Sequence, residues 1–250
     1  MLKHEFDVLT SLNHENIVKV YGYCPKDKLQ KYKGSTYEVA YIVLELVIGH
    51  NLAGFLNSKK FLEEKEFKYI FFKIINVIKY MHCKGIAHRD IKIENIMIDS
   101  NKQIKMIDFG FADKISGNES LGLLEGALGT KQYAAPEILL GCPYNGMMAD
   151  IFAVGVTLFI IAVKAYPFEQ CASTTDNKYN YFWSNQIDKF WEDHMRENEN
   201  VKRISFEVRE LISLMLSPDH TQRPSISEIY SHKWLSDLLK LKKDINIFKY

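Results

Sequence analysis

Residues 151–163 read IFAVGVTLFIIAV, a run of 13 residues without a charged side chain between Asp150 and Lys164. A helix that crosses a bilayer needs about 20 predominantly apolar residues, so this run is too short to span one. Its length and composition instead predict a helix that is buried on all sides. The rest of the chain must therefore supply the elements that cover it.

The composition is that of a folded globular protein of 250 residues, with 47% hydrophobic and 25% charged residues. A chain of this length forms one large domain or two lobes that share a cleft. The net charge of +1 gives no reason to propose nucleic acid or a membrane surface as a partner. The four cysteines lie far apart and the N-terminus has no basic-then-apolar signal pattern, so we expect a reduced, cytoplasmic protein.

The hydrophobic pattern predicts a small strand-bearing segment followed by a mainly helical body. Apolar residues at helical spacing predict a helix from Leu2 onwards and a long helix over residues 61–82. β-Branched and aromatic residues predict strands over residues 17–24, 37–47, 95–99 and 104–108. The lysine-rich stretch 25–36 is expected to be a solvated hairpin loop. We therefore predict an α+β fold with two unequal lobes.

Polar residues that suit catalysis cluster in AHRDIKIENIMID, residues 87–99. Asp90, Lys92 and Asn95 lie in the expected loop between the long helix and the next short strand, and loops on a rigid scaffold commonly carry catalytic groups. The tripeptide DFG follows at residues 108–110, and GTKQYAAPE follows at residues 129–137.

The segments HRDIKIEN, DFG, GT..Y.APE, D.FAVGV and QRPS stand in the order and spacing of eukaryotic protein kinases, which the chain resembles over residues 1–235. Lys92 matches the serine/threonine type, and the chain loosely resembles calcium/calmodulin-dependent kinases. The resemblance implies a protein-kinase-like bilobal fold. Its expected parts are a partial N-lobe (1–45), a hinge (46–50), a mainly helical C-lobe (51–235) and a C-terminal tail (236–250).

The resemblance also implies a role for each polar residue of the cluster. Asp90 resembles the base that accepts the proton of the substrate hydroxyl, and Lys92 resembles the cation on the transferring γ-phosphate of ATP. Asn95 and Asp108 match the oxygen ligands of Mg²⁺. The alternative, that all four are polar loop residues with structural roles, does not explain why they stand at the family's spacing.

ATP is expected to lie against YIVLELV, residues 41–47, by the same resemblance. Leu44 would guard the back of the pocket, and the backbones of Glu45 and Val47 would bind adenine. Met97 would lie beneath the base, in an apolar slot that suits a flat ligand. The cofactor-binding candidates are therefore Leu44, Glu45, Val47, Asn51, Met97 and Asp108.

Further residues match supporting contacts of the family. Glu137 and Arg223 match a buried ion pair, and Asp150 matches an aspartate that accepts hydrogen bonds from the HRD turn. A hydrophobic column that links the lobes is matched by four residues, which plain core packing would explain as well: Leu9, Val20, His88 and Phe109.

Glu5 resembles the helix glutamate that pairs with a lysine on the third strand of the small lobe. That lysine and the glycine-rich loop over the phosphates would stand upstream of residue 1. We therefore expect an N-terminally incomplete kinase domain, either a fragment or a naturally short chain. Two functions stay open: a serine/threonine kinase that uses ATP and Mg²⁺ on a protein substrate, or a catalytically inactive kinase-fold binding or scaffold protein.

Regulation is suggested by Arg89, which beside Asp90 is typical of kinases that are switched by phosphorylation of the activation loop. Gly126 stands at the usual phosphorylation site, and Glu125 could supply a fixed negative charge, although a solvated side chain is the simpler interpretation. Thr130 is expected to hydrogen-bond near Asp90. The basic tail permits a regulatory protein as partner, but we expect it to dock on its own domain.

Overall fold

The computed structural model describes residues 1–30, 34–99, 101–115, 123–126 and 128–240, with side chains as far as Ser236. Within these residues the α-helices are α1 (Leu2–Ser11), α2 (Leu52–Ser58), α3 (Glu64–Cys83), α4 (Pro136–Leu139), α5 (Gly146–Val163), α6 (Asn177–Trp183), α7 (Ile187–Glu197), α8 (Phe206–Met215), α9 (Ile226–Ser231) and α10 (Lys233–Lys240). The strands are β1 (Val20–Gln30), β2 (Thr36–Leu44), β3 (Gly49–Asn51), β4 (Ile86–Ala87), β5 (Ile96–Asp99), β6 (Ile104–Met106), β7 (Asp113–Lys114), β8 (Leu123–Leu124) and β9 (Tyr144–Asn145).

Helix α5 contains the uncharged run and forms the centre of the helical body. By length and composition alone this 18-residue helix could cross a membrane, but 89% of its residues are buried inside the protein. Asn145 caps its N-terminus by accepting hydrogen bonds from the N–H groups of Met147 and Met148. Helices α3 and α8 pack directly against it. The prediction of a core helix is confirmed.

The N-terminal part consists of α1 and the antiparallel hairpin β1–β2. The prediction of a loop over residues 25–36 is wrong for most of its length, because β1 continues to Gln30 and β2 begins at Thr36. A register shift between Cys24 and Asp27 explains this, since a β-bulge accommodates Pro25, which has no N–H for the ladder. Lys26 and Lys28 lie exposed on β1, and residues 31–33 of the predicted loop lie outside the described residues.

A three-stranded sheet in the order β3–β5–β6 joins the N-terminal part to the helical body. The Val18 N–H donates to the Met106 carbonyl at 3.0 Å, and the Met106 N–H donates to the Asn16 carbonyl at 2.8 Å. The predicted strands at 95–99 and 104–108 correspond to β5 and β6, which ends two residues early at Met106. Residues 107 and 108 are thereby free to turn out of the sheet.

Helix α3 confirms the long helix predicted over residues 61–82, although it begins at Glu64. Glu63 and Glu66 form a reciprocal capping box there, which ends the extended segment and starts the helix. Two short pairs, β4–β7 and β8–β9, tie later segments to the body. The observed architecture is the predicted α+β fold, with a small strand-bearing N-terminal part before a mainly helical body.

Candidate active site

The Asp90 carboxylate is the centre of the polar cluster. Its side chain is 2% exposed, and both of its oxygens accept hydrogen bonds. Oδ2 accepts from Lys92 Nζ at 2.7 Å and from Asn95 Nδ2 at 3.0 Å. Oδ1 accepts from the Thr130 hydroxyl at 2.8 Å and from the Thr130 N–H at 3.0 Å. A buried carboxylate with this set of donors is fixed in orientation and is neutralised by the Lys92 ammonium.

Thr130 reaches this centre from the GTKQYAAPE segment, as expected from the sequence. Lys92 Nζ also donates to the Thr130 hydroxyl, at 2.8 Å, so the three side chains form a closed network. Gly129 permits the approach, because a Cβ at that position would lie 2.5 Å from the Arg89 carbonyl oxygen. Its φ of +93° also lies in the region that favours glycine.

Asn95 and Asp108 come from two segments that a backbone hydrogen bond holds together. The Ile107 N–H donates to the Asn95 carbonyl at 2.9 Å, which sets Asp108 beside the 3-10 helix Ile93–Asn95. Asn95 Nδ2 is bound to Asp90, whereas no described residue donates to Asn95 Oδ1. The Asp108 side chain lies on an exposed residue with φ of +63°. One free carboxamide oxygen and one exposed carboxylate form a donor set that suits Mg²⁺.

This pair differs from a metal centre made of protein side chains alone. Among the described residues, no group of three or more His, Cys, Asp or Glu side chains could hold a metal ion. Mg²⁺ is commonly bound by one or two protein oxygens together with substrate phosphates, so Asn95 and Asp108 fit the ion in that mode.

Asp150, near the N-terminal end of α5, accepts hydrogen bonds from the catalytic loop (residues 88–95). Oδ2 accepts hydrogen bonds from the His88 N–H at 2.8 Å and from His82 Nε2 at 2.9 Å. Oδ1 accepts from the Arg89 N–H at 2.9 Å. These bonds fix a turn in which Arg89 has φ of +68°, and the predicted contact of Asp150 with the HRD turn is confirmed.

Glu5 meets the DFG segment in this structure. Its Oε1 accepts a hydrogen bond from the Phe109 N–H at 3.2 Å. Burial raises the pKa of the Glu5 carboxyl, the Phe109 N–H lowers it, and the nearby Asp108 charge raises it again, so the net pKa lies above its ordinary value. The Phe109 ring is buried, and its centroid lies 4.9 Å from the centroid of the His88 ring. Sequence reasoning missed this partner because a backbone N–H leaves no signal in the sequence.

The expected adenine side of the site is built by the segment after β2. Leu44 ends β2 and is 36% exposed, while Val47 packs on the core. Glu45 accepts from Lys105 Nζ at 2.9 Å and from the Lys19 N–H at 3.1 Å. Burial acts to raise the pKa of Glu45, but these two hydrogen bonds outweigh it and hold the pKa below its ordinary value. Lys105 was not singled out from the sequence, because its partner lies 60 residues away.

Asn51 and Met97 lie directly opposite each other in the β3–β5 ladder, so their side chains share one face of the sheet. Asn51 Oδ1 accepts a hydrogen bond from the Gly54 N–H at 2.9 Å and thereby caps α2. The oxygen of this candidate residue therefore already has a structural role. Its amide group is the part that would remain for a ligand.

Glu137 and Arg223 form the buried ion pair that the sequence predicted. Two parallel hydrogen bonds of 2.7 Å join the guanidinium to the carboxylate. The Arg223 side chain is fully buried and also donates to the Met148 carbonyl at 3.0 Å. The pair connects α4, after the GTKQYAAPE segment, to the C-terminal part of the body.

Comparison with known proteins extends the motifs to the chain as a whole. The family model for the protein kinase domain matches residues 1–235. Mouse testis-specific serine/threonine-protein kinase 1 is 33% identical over 236 residues, which cover 94% of this chain and 59% of that protein. Mouse testis-specific serine/threonine-protein kinase 3 is 31% identical over 235 residues, or 94% of this chain and 79% of that protein.

Mouse sperm motility kinase 3A is 28% identical over 234 residues, which cover 93% of this chain. The chain spans 41% of the length of that kinase. Other relatives that it matches are also considerably longer than it is.

Proposed function

The chain belongs to the protein kinase domain family, by which it is a protein serine/threonine kinase, and from that premise we propose that it transfers the γ-phosphate of ATP to serine and threonine hydroxyls of protein substrates. The observation that carries this proposal is the geometry of Asp90. A carboxylate that is 2% exposed, and that is bound by Lys92, Asn95 and Thr130, is held ready for a substrate hydroxyl.

Each residue of the cluster has one role in the proposed reaction. Asp90 orients the substrate hydroxyl and accepts its proton as the hydroxyl oxygen bonds to the γ-phosphorus and the bond from that phosphorus to the leaving ADP breaks. Lys92 lies within 2.7 Å of Asp90, so its ammonium is placed to neutralise charge on the transferring phosphoryl group. Thr130 keeps both side chains in position through its hydroxyl.

Asn95 and Asp108 would hold Mg²⁺ together with the phosphates of ATP, as the free carboxamide oxygen of Asn95 and the exposed carboxylate of Asp108 suggest. When bound, the ion neutralises negative charge on the phosphate oxygens. The Asn95 carboxamide can serve the ion and Asp90 at once, because its nitrogen is committed to Asp90 and its oxygen is not.

ATP would lie between the strand-bearing part and the helical body. In this arrangement residues 1–45 contribute the N-lobe, residues 46–50 the hinge and residues 51–235 the C-lobe, with a tail at 236–250.

The backbones of Glu45 and Val47 would bind adenine, with Leu44 behind it and Met97 beneath it. Support comes from Val47 N–H, for which no described residue supplies an acceptor. Asn51 would contribute its side-chain NH₂ group.

We also propose that the chain is cytoplasmic.

A second function, a kinase-fold binding or scaffold protein, is favoured by one observation. The described residues offer Glu5 no lysine, and its carboxylate binds the Phe109 N–H instead. The lysine of an active kinase helps to position the phosphates of ATP. A chain in which Glu5 only orders the DFG segment would retain the fold without efficient transfer.

Transfer of labelled γ-phosphate to a mixture of serine- and threonine-containing proteins separates the two functions. We expect transfer by the wild-type chain with Mg²⁺, and a rate at least about a hundredfold lower for Asp90→Asn, because the amide cannot accept the proton. The control is Asp188→Asn, which changes an exposed carboxylate on α7 and should leave the rate unchanged.

Equal rates for Asp90→Asn and wild type would contradict the assignment of Asp90. Binding of Mg²⁺ and ATP without any transfer would favour the binding protein. Absence of both would contradict the kinase proposal for this chain.

A further inference from the structure

In kinases that are regulated by phosphorylation of the activation loop, the arginine at the position of Arg89 binds the phosphate. In this chain the Arg89 guanidinium already contacts other oxygen atoms. Its side chain is 6% exposed. Nε donates to the Tyr144 hydroxyl at 3.0 Å, and Nη2 donates to the Glu125 carbonyl at 3.1 Å. Nη1 lies 3.6 Å from a carboxylate oxygen of Asp113. All three nitrogens of the guanidinium therefore face an oxygen.

These partners come from three separate places in the fold. Asp113 lies in β7, which pairs with β4 just before the catalytic loop. Glu125 follows β8, and Tyr144 begins β9. In the β8–β9 ladder Leu124 is directly opposite Tyr144, so the residue that binds Arg89 is also the one that pairs with the activation segment (residues 108–137).

The usual phosphorylation position is unsuited to a phosphorylated threonine here. Gly126 occupies it with φ of +89°, a backbone conformation that is strained for a β-branched residue. A phosphate brought to Arg89 would also approach the Asp113 carboxylate, which lies 3.6 Å from the guanidinium, and like charges repel at such distances. The carboxylate of Glu125 has no described contact with Arg89; its backbone carbonyl makes that contact.

We propose that Tyr144, the Glu125 carbonyl and Asp113 together occupy the place of an activation-loop phosphate on Arg89, so that residues 123–126 of the activation segment are fixed in the unmodified chain. Tyr144 is then a positioning residue, which acts on the acceptor side of the site through Arg89 and β8. This inference rests on the proposed kinase function, but the ordering of the segment can be measured without it.

Amide hydrogen exchange of the unphosphorylated chain, with its mass checked, tests the ordering. Tyr144→Phe removes one hydroxyl and leaves Arg89 Nε buried without an acceptor, so exchange at residues 123–126 should become about tenfold faster. The matched control is Tyr181→Phe, which removes a hydroxyl that donates to Asp193 at 2.6 Å, away from this segment. That variant should change exchange at 123–126 less than about twofold.

Glu125→Gln tests whether the carboxylate of Glu125 contributes, because it removes the side-chain charge and leaves the backbone carbonyl in place. Because the carbonyl is the acceptor, this variant should exchange like wild type. Asp113→Asn gives a second route if Tyr144→Phe does not fold, and it should accelerate exchange at 123–126 by about two- to fivefold, since its side chain is 43% exposed.

A transfer assay distinguishes positioning from general destabilisation. Tyr144→Phe should lower kcat/KM for the protein acceptor about tenfold and leave the Kd for ATP with Mg²⁺ within about twofold. The proposal is overturned if Tyr144→Phe exchanges no faster than Tyr181→Phe, or if residues 123–126 of the wild type are protected only after phosphorylation. Loss of all transfer in the wild type would contradict the kinase function and leave the exchange result standing.

Discussion

At the scale of single residues, the site depends on partners that lie far apart in sequence. Asp90, Lys92 and Asn95 are predictable because they stand close together in one loop at a recognisable spacing. Glu5 is different, since its hydrogen bond goes to the backbone of Phe109, 104 residues away. A sequence shows which side chains can accept a proton or bind a metal, but it does not show which backbone groups the fold will bring to them.

Glu5 gives a prediction about pH. Its pKa is raised in the folded state, chiefly by burial, so the folded chain binds this proton more tightly than the unfolded chain does. The free energy of unfolding of the wild type should therefore fall, relative to Glu5→Gln, as the pH rises from the ordinary value of Glu through the raised one. Urea unfolding of both proteins between about pH 3.5 and pH 7 measures the difference.

Glu228→Gln is the matched control for this measurement because its expected sign is opposite. Hydrogen bonds from Ser225 lower the pKa of Glu228, so its contribution to stability is present above its ordinary pKa and is lost as the pH falls. Wild type should gain stability relative to Glu228→Gln with rising pH. The same sign for both variants would contradict the account of Glu5.

At the scale of elements, helix α5 has two roles, as the core of the helical body and as the anchor of the catalytic loop, and its sequence predicts the first. Its uncharged residues predict burial, and its burial is confirmed. Asp150, near its N-terminal end, is the group that fixes the catalytic loop. The hairpin β1–β2 was harder to predict, because lysines and Pro25 are typical of loops, whereas strand pairing and a bulge carry the ladder through them. Local composition was outweighed there by contacts with the partner strand.

Replacing Asp150 tests the link between α5 and the catalytic loop. Asp150→Asn puts an amide where three donors now point, so at least one buried N–H loses its acceptor. We expect the free energy of unfolding to fall by about 2–4 kcal/mol. Urea unfolding measures the change, and the control is Asp219→Asn, which alters an exposed carboxylate that accepts a hydrogen bond from the Thr221 N–H and should destabilise the chain much less than Asp150→Asn does. A loss for Asp150→Asn no larger than for Asp219→Asn would contradict the anchoring role.

At the scale of the whole molecule, the α+β fold and its unequal parts could be predicted from two sequence patterns. These are the uncharged run at residues 151–163 and the five motifs that stand in the order of the kinase family. The family match over residues 1–235 agrees with that prediction. The sequence did not reveal how the parts are joined. The bonds of Asn16 and Val18 to Met106, and the Glu45–Lys105 pair, connect segments whose polar residues look like ordinary surface positions. Such joints depend on tertiary placement, which no local pattern encodes.

We propose that Asp108 and Asn95, brought together beside Asp90, form a nucleotide site that depends on Mg²⁺. Titration calorimetry of the chain with ATP, in the presence and absence of Mg²⁺, tests this site. We predict saturable binding that requires Mg²⁺ and that weakens at least about tenfold in Asp108→Asn, with Asp188→Asn unchanged, because one carboxylate ligand is lost. Binding that is equally strong without Mg²⁺, binding that is unaffected in Asp108→Asn, or no binding by the wild type would contradict the account.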